Sequence, residues 1–597
     1  MSIKSACHAI DSDPAVRYSR REPMVGTTMH PPNTVASTRQ DLSAPPQLHN
    51  IASYLSRLAA ERGRQTAVIL MDPRARRSAG CTSCTFAEFE GLSNRYANGL
   101  AATGVTGGIR VLVMVKPGLE FFAIIFALFK LGAVPVMIDP GMGVARLVDC
   151  VRRVDLQGFI GVPVAHLVRL AHRRSAFRDV RCVVTVGRRL GWGGTTLREL
   201  ADNATDRAIM AETRRDDPAA ILFTSGSTGP AKGVVYEHGM FDAQIRMIQA
   251  YYGMEAGEVD VSTFPLFALF SLAMGMTVVI PEMDASRPAR ADLAKIVRAI
   301  HDHGATNTFG SPALWKNVAH YCKESGVKLP SLRRVLIAGA PVSPAIIRCL
   351  HGALLDEADV QTPYGATEAL PVASIGGREV LAARQHAPAD AGTCVGRPVV
   401  GAEFRIIRIT DGPIEAWSDD LLVADGEIGE IVVRGPAVTR EYFGLPQATR
   451  LAKTRDGHTV WHRMGDVGYR DREGRLWYAG RKSQRVITES GTLFTDCCEG
   501  VFNEHPDVAR SALVGVGPPG RQTPIIIIEP KHGRDARARR ATFAEELIAR
   551  NRQSTVHNRQ SVERLLFRRS LPVDIRHNAK INREKLADWA SRKRPLP

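Results

Sequence analysis

The sequence predicts an α/β protein: a large N-terminal domain of parallel-rich α/β sheets with a β-rich subdomain, followed by a small α+β C-terminal domain. Three observations carry that prediction. From about residue 48, helical patterns alternate with short apolar runs: AVIL (67–70), RVLVMV (110–115), AVPVMI (133–138), GFIGV (158–162), CVVTV (182–186), TVVI (277–280) and RVLIAG (334–339). Such alternation is the pattern of buried, mainly parallel strands joined by helices. After CVGRPVVGAEFRIIRI (394–409) the helices thin out, and GEIGEIVVRG (426–435) with GRLWYAGR (474–481) reads as β-rich. Beyond a boundary at 480–485, SALVGVG (511–517), TPIIIIEP (523–530) and terminal helical patterns outline a domain of ordinary size.

In chain order, residues 1–47 read as a flexible tail. They begin MSIKSACHAIDSDPAVRYSRREP, with no basic stretch leading into an apolar core, so a secretion signal is not indicated. Residues 48–480 form the N-terminal domain. Its most apolar stretch, FFAIIFALFKLGAVPVMI (121–138), is broken by Lys130, Gly132 and Pro135 and reads as a buried helix followed by a strand, not as a transmembrane segment. AAILFT (219–224) is a strand leading into the polar loop TSGSTGPAKG (224–233), and apolar residues at helical spacing resume beyond Glu237. Residues 481–485 connect to the C-terminal domain, 486–597. There GVGPPG (515–520) matches the letters of a dinucleotide site, but Pro518, Pro519 and Pro524 lead into the β-type run IIII rather than a helix, which makes it a hairpin connection.

With 44% hydrophobic and 23% charged residues, the composition is that of an ordinary globular protein. The formal charge of +17 favours anionic ligands such as nucleotides or acyl acids. No aromatic-rich basic module points to nucleic acid, and the basic stretch KHGRDARARRATF (531–543) reads first as a solvated linker or helix face. Ten scattered cysteines make no disulfide framework and suit the reduced thiols of a cytoplasmic protein. Cys81-x-x-Cys84 lacks a second ligand pair and Cys497 and Cys498 are adjacent, so neither is assigned a metal. Neither Gly-x-Ser-x-Gly nor His-Glu-x-x-His occurs, which removes the usual local signals of serine hydrolases and zinc proteases.

The loop TSGSTGPAKG is not a Walker A loop. Counting from Gly226, Ala231 replaces its second glycine and Gly233 its magnesium-binding hydroxyl. Its physics still suits phosphate: glycines let backbone N–H groups curl inward, hydroxyls add donors, and Lys232 supplies charge.

Three further stretches extend the loop into a constellation: PYGATEA (363–369), WHRMGD (461–466) with GRKSQR (480–485), and RHNAKINREKL (576–586). In this order and spacing they resemble the adenylate-forming superfamily of acyl-CoA synthetases, luciferases and peptide-synthetase adenylation domains, over about residues 48–590. The resemblance implies ATP and Mg²⁺, attack of a carboxylate on the α-phosphate to give an acyl-adenylate and pyrophosphate, and a C-terminal domain that moves as a lid about 481–485. It implies that Thr224, Ser225, Gly226, Ser227, Thr228 and Lys232 hold the β- and γ-phosphates, where donors stabilise the departing pyrophosphate. Thr367 corresponds to a hydroxyl donor to the α-phosphate. Glu368 corresponds to the carboxylate that holds Mg²⁺, a cation that borrows one or two protein carboxylates when phosphates supply the rest. Tyr364, beside Gly365, corresponds to the ring packed on adenine, and AGAP (338–341), with Gly339 and Ala340, to backbone lining the base. Asp466 corresponds to the acid that binds both ribose hydroxyls, although an Asp in MGD is by itself an ordinary turn residue. Arg481 corresponds to a second ribose contact. Lys580 corresponds to the catalytic lysine that bridges the substrate carboxylate and the α-phosphate, a compact charge on a flexible stem. Ala579 stands where a glycine is usual, and Lys585 is the alternative.

Two departures from the family bear on the second half-reaction: Ala268 occupies the histidine position of a Pro-Leu-Phe-His motif, implying an apolar gate, and Ser483 stands where the hinge commonly has Asp or Lys, which bears on the pivot and not on the domain boundary. The wording TFPLFALFSLAMGMTVVIPEMD, VYEHGMFDAQIRMIQ and TPYGATEALPVASI is most similar to a narrower branch, the β-lactone synthetases of bacterial long-chain olefin biosynthesis. That likeness implies a long-chain 2-alkyl-3-hydroxy fatty acid as substrate, closed to a β-lactone by its own hydroxyl. It also implies an olefin-pathway setting with a condensing enzyme, a reductase and a lactone decarboxylase. Phe264, Phe267, Phe270, Met274, Met276, Phe309 and Trp315 are candidates for the alkyl slot, each also readable as core. A long-chain acyl-CoA or acyl-carrier ligase, and an inactive lipid- or nucleotide-binding partner, remain open as alternatives.

Overall fold

Leu119–Lys130 forms a helix buried on every side, because it lies in a core shared by two parallel-rich sheets. A helix that is apolar all round has to be enclosed in this way. Its terminal Lys130 is buried too, and the neighbouring helix Phe86–Ala102 takes up the charge: Glu90 Oε2 lies 2.7 Å from Nζ, which donates to Ser93 Oγ at 2.7 Å and Asn94 Oδ1 at 2.5 Å. Gly132 turns the chain at φ +64°, and Val134–Met137 follows as a strand. The computed structural model describes residues 49–71, 83–223, 230–531, 537–552, 562–573 and 581–593. The expected tail, 1–47, lies outside them.

The first sheet runs in the order Thr195–Thr196, Cys182–Thr185, Gly158–Gly161, Arg110–Met114, Val134–Met137, Pro218–Phe223, Gly233–Glu237. All its pairs are parallel except the last, where the chain folds straight back from the loop predicted to bind phosphate. The second sheet runs Asp359–Gln361, Arg334–Ile337, Asn307–Gly310, Val259–Ser262, Thr277–Ile280, Thr66–Leu70, Ser83–Thr85, again parallel except at its last pair. Every strand named from the apolar runs is present, and the mainly parallel expectation holds with one antiparallel pair at an edge of each sheet.

The β-rich region is a third, antiparallel sheet: Tyr364–Ala366, Ala369–Ser374, Thr393–Pro398, Leu476–Arg481, Thr459–Arg470, Gly429–Arg434 and Glu403–Ile407, with Lys453–Asp456 paired to Thr459–Arg470. Arg481 is followed by a single 3₁₀ turn, Lys482–Gln484. Lys482 Nζ lies 2.8 Å from Glu430 Oε1 and Arg485 reaches Asp411 Oδ2 at 2.6 Å, so the connector is tied back to the third sheet and its loops. Beyond it Val508–Val516 and Thr523–Pro530 form a hairpin joined by GVGPPG, with Leu565–Phe567 added in parallel. The helix Thr495–Asn503 packs on this sheet and reaches the third: Thr393 Oγ1 donates to Asp496 Oδ2 at 2.6 Å. Among the described residues no helix is long and apolar enough to cross a membrane. The described cysteines are free thiols, most of them buried.

Candidate active site

Beyond the carboxyl ends of Val259–Ser262, Asn307–Gly310 and Arg334–Ile337 the chain opens into a cavity of about 3670 Å³. Open α/β sheets bind ligands at such ends. Gly339 and Ala340 line it, as do Tyr364, Gly365, Thr367, Glu368, Asp466, Arg481 and Lys232. The nine predicted site residues that are described therefore share one cavity. Thr224, Ser225, Gly226, Ser227, Thr228 and Lys580 lie outside the described residues. Ile581, next to Lys580, lines the cavity, whereas Lys585 is exposed in the first turn of the helix Arg583–Ala590 and is not part of its wall.

One half of the cavity floor is built around Asp466. It is a strand residue rather than a turn residue, directly opposite Arg481 in antiparallel register. Gly465, at φ +66°, sits where the register with Gly429–Arg434 slips between Val432↔Arg463 and Glu430↔Val467. A glycine in this conformation makes a bulge without strain, and a bulge re-aims neighbouring side chains, here Asp466 into the cavity. Arg481 approaches Asp466 Oδ1 at 2.9 Å, and Tyr364 OH donates to Oδ2 at 2.7 Å. Burial, then the Asp466 charge, pushes the Tyr364 hydroxyl well above its ordinary range, so it stays a donor. The same carboxylate raises the Arg481 guanidinium further. The acid is thus held by two donors with its carboxylate in the cavity wall.

The other half is built around Glu368. Its backbone is pinned: Thr439 donates to its carbonyl from N at 2.9 Å and from Oγ1 at 3.0 Å, and Tyr236 OH donates to the preceding carbonyl, of Thr367, at 2.5 Å. Gly365 is required here because a Cβ would lie 2.8 Å from both Ala369 O and Leu370 Cβ. Tyr442 OH donates to Glu368 Oε1 at 2.8 Å, and Lys232 Nζ lies 4.7 Å from the centre of the same ring. One tyrosine therefore touches both the predicted phosphate lysine and the predicted magnesium carboxylate. Burial and the Glu368 charge raise its hydroxyl pKa. Tyr442, Thr439, Tyr236 and the buried Lys453 behind them were not picked out from the sequence; Tyr236 stands within the quoted stretch VYEHGMFDAQIRMIQ without being singled out, and the other three lie in no quoted motif and become visible only through the strand pairing. Among the described residues no cluster of three or more His, Cys, Asp or Glu could cage a metal on its own. A single oriented carboxylate is the donor set that suits Mg²⁺ carried in on phosphate oxygens.

The remaining wall is apolar. Phe264, Phe267, Phe270 and Phe309 line it, with the Phe267 and Phe309 rings stacked at 4.3 Å. Leu266, Leu269, Phe270 and Ala273 share one face of the helix Pro265–Ala273, at helical spacing, and point to the cavity. Three slot candidates are corrected: Met274, Met276 and Trp315 are fully buried core residues away from the wall. The apolar gate expected at Ala268 is corrected as well. It lies on the opposite face of that helix, wholly within the core.

The cavity at the carboxyl ends of a parallel sheet thus has an anchored Asp466–Arg481 ion pair on one side and a lysine-flanked Glu368 on the other; the chain matches the AMP-binding enzyme family over residues 55–443 and belongs to it. Among particular relatives, the chain is 48% identical over 557 residues to the olefin β-lactone synthetase of Stenotrophomonas maltophilia (strain K279a), covering 91% of this chain and 98% of that protein. It is 47% identical to the olefin β-lactone synthetase of Xanthomonas campestris pv. campestris, over 92% and 98% of the two chains. The long-chain-fatty-acid–CoA ligase FadD13 of Mycobacterium tuberculosis is more distant, at 26% over 72% of this chain and 80% of its own. The fold is shared with the amide bond synthetase McbA of Marinactinospora thermotolerans (TM-score 0.73, 24% identity, 90% and 99% covered) and with the anthranilate CoA ligase AuaEII (TM-score 0.74, 19% identity, 92% and 98% covered).

Proposed function

We propose that this enzyme activates a long-chain 2-alkyl-3-hydroxy fatty acid with ATP and closes it to a β-lactone, releasing pyrophosphate and then AMP. The observation that carries the reading is the 48% identity, nearly end to end, to a protein named for β-lactone synthesis, against 26% to a fatty-acid CoA ligase. The apolar wall beside the nucleotide floor supports a long alkyl substrate.

In the first step a carboxylate oxygen of the acid attacks the α-phosphorus and the bond to the β-phosphate oxygen breaks. Asp466 and Arg481 hold the ribose, and Tyr364 with the Gly339–Ala340 backbone holds the base. Lys232 and the loop Thr224–Thr228 hold the leaving phosphates, and Thr367 donates to the α-phosphate. Lys580 draws the two anions together; Ile581 beside it lines the cavity, which favours it over exposed Lys585. When bound, Mg²⁺ held by Glu368 neutralises phosphate charge. In the second step the 3-hydroxyl oxygen attacks the acyl carbon, the acyl–phosphate bond breaks, AMP leaves and the hydroxyl proton goes to solvent. A nucleophile already on the substrate has a high effective concentration, which offsets part of the ring strain. The segment 481–485 is the hinge between the domain 48–480 and a lid, 486–597. A cytoplasmic setting beside a condensing enzyme, a reductase and a lactone decarboxylase completes the reading.

The test is incubation with ATP, Mg²⁺ and a 2-alkyl-3-hydroxy acid in the absence of CoA. A product lighter than the acid by one water, with AMP and pyrophosphate, is expected. Formation of AMP only on adding CoA or a carrier thiol would instead identify a ligase.

A further inference from the structure

Lys453 is buried, 7% exposed, on the strand Lys453–Asp456, and among the described residues no carboxylate lies within ion-pair distance of it. A buried lysine without an ion-pair partner is costly, and a methionine would fill the same space at no such cost. The position of its bonds accounts for the charge. Nζ donates to the carbonyl of Thr439 and, at 3.2 Å, to Thr439 Oγ1. That hydroxyl and the Thr439 N–H both donate to the carbonyl of Glu368, and the next residues, Val438 and Ala369, form a bridge. The acid whose charge acts on Lys453 is Glu368 itself. Opposite Lys453 in register stands buried His462; its Nδ1 faces the Ala452 carbonyl at 3.1 Å and so carries the proton. Burial, then the charge of Lys453, holds this imidazole neutral. The histidine therefore adds no second positive charge beside the lysine.

We infer that Lys453 is a positioning residue for Glu368: through Thr439 its Nζ fixes the backbone of the magnesium-binding glutamate. The inference rests on the adenylation reading and on the role of Glu368 in it.

The test compares wild type with Lys453→Met, Lys453→Arg and Thr439→Val, measuring acid-dependent ATP–pyrophosphate exchange across a Mg²⁺ titration. Residues that orient a metal ligand change metal affinity by about 10–100-fold when removed. In Lys453→Met the half-saturating Mg²⁺ concentration is expected to rise by about tenfold, with KM for the acid unchanged; Lys453→Arg restores part of it, and Thr439→Val shifts it in the same direction but less. A folded Lys453→Met with the wild-type Mg²⁺ requirement overturns the inference. Should Lys453→Met fail to fold, Thr439→Val decides: an unmoved Mg²⁺ requirement there overturns it equally. Absence of exchange in the wild type would strike the adenylation reading itself, a result distinct from normal exchange with indifferent variants.

Discussion

Replacing Lys453 by Met should also change how stability depends on pH, and the sign follows from burial. In the folded protein burial lowers the Lys453 pKa to about 7, with Glu368 pulling it partly back, whereas an unfolded chain gives a lysine about 10.4. The folded form thus loses this proton first. Between these values the unfolded chain binds more protons, so wild type gains stability as pH rises, by about 1.4 kcal/mol per unit at most, while the methionine variant has no such contribution. From pH 7.5 to 9.5 wild type should gain up to about 2.7 kcal/mol on Lys453→Met. Below pH 7 both states are charged and the gap is constant on this account. His462 and Lys232 also face this region, but the imidazole titrates below its ordinary range and leaves the window undisturbed. Urea unfolding of both proteins at three pH values in that window, followed by tryptophan fluorescence, measures the gap. Parallel profiles would refute the reasoning, because they would mean that the folded and unfolded states hold this proton alike.

Three other outcomes are expected. Asp466→Asn removes the charge that faces Arg481 and accepts from Tyr364; hydrogen bonds to charged groups contribute about 1.5–3 kcal/mol, so KM for ATP should rise about ten- to a hundredfold with KM for the acid unchanged in steady-state kinetics. Lys580→Ala should bind ATP normally by calorimetry but lose about a hundredfold or more in acid-dependent exchange, the scale of losing one transition-state donor, whereas Lys585→Ala at its exposed site should match wild type. Ala268→His should overpack the core and cost about 1–3 kcal/mol in denaturant unfolding, without conferring use of CoA, because this position is not on the cavity wall.

The strands and the two parallel sheets were legible because buried strands leave continuous apolar runs, and even Lys130 inside the most apolar helix could be anticipated as a break. The partners of that lysine could not, since Glu90 and Asn94 come from a different helix and no local spacing links them. The same distinction runs through the cavity. Tyr364, Glu368 and Asp466 sit in recognisable short motifs, but Tyr442, whose hydroxyl reaches Glu368 across the sheet, sits in none. Asp466 shows the limit from the other side: its letters allow a turn, and only pairing against Arg481 makes it a strand residue facing the cavity. The alkyl-slot candidates failed where composition was the guide. Phe270 and Met274 are equally apolar and only four residues apart, yet Phe270 lines the cavity while Met274 ends the helix inside the core.

The charges around the nucleotide floor argue for a polyanionic occupant independently of any motif. Asp466 is matched by Arg481, and Glu430 is held by both Arg463, at 2.7 Å, and Lys482, at 2.8 Å. Glu368 stands against Lys232 across the Tyr442 ring and Lys453 behind Thr439. In each half the named basic side chains outnumber the carboxylates, in surroundings buried enough for a surplus of positive charge to be costly. A triphosphate entering between Lys232 and Glu368 would supply the missing negative charge, and a cation bound by Glu368 would offset the rest of that triphosphate's charge. A nucleotide bound there would offset that cost, which gives a physical reason for a buried lysine to lie behind Glu368 and not at the apolar wall.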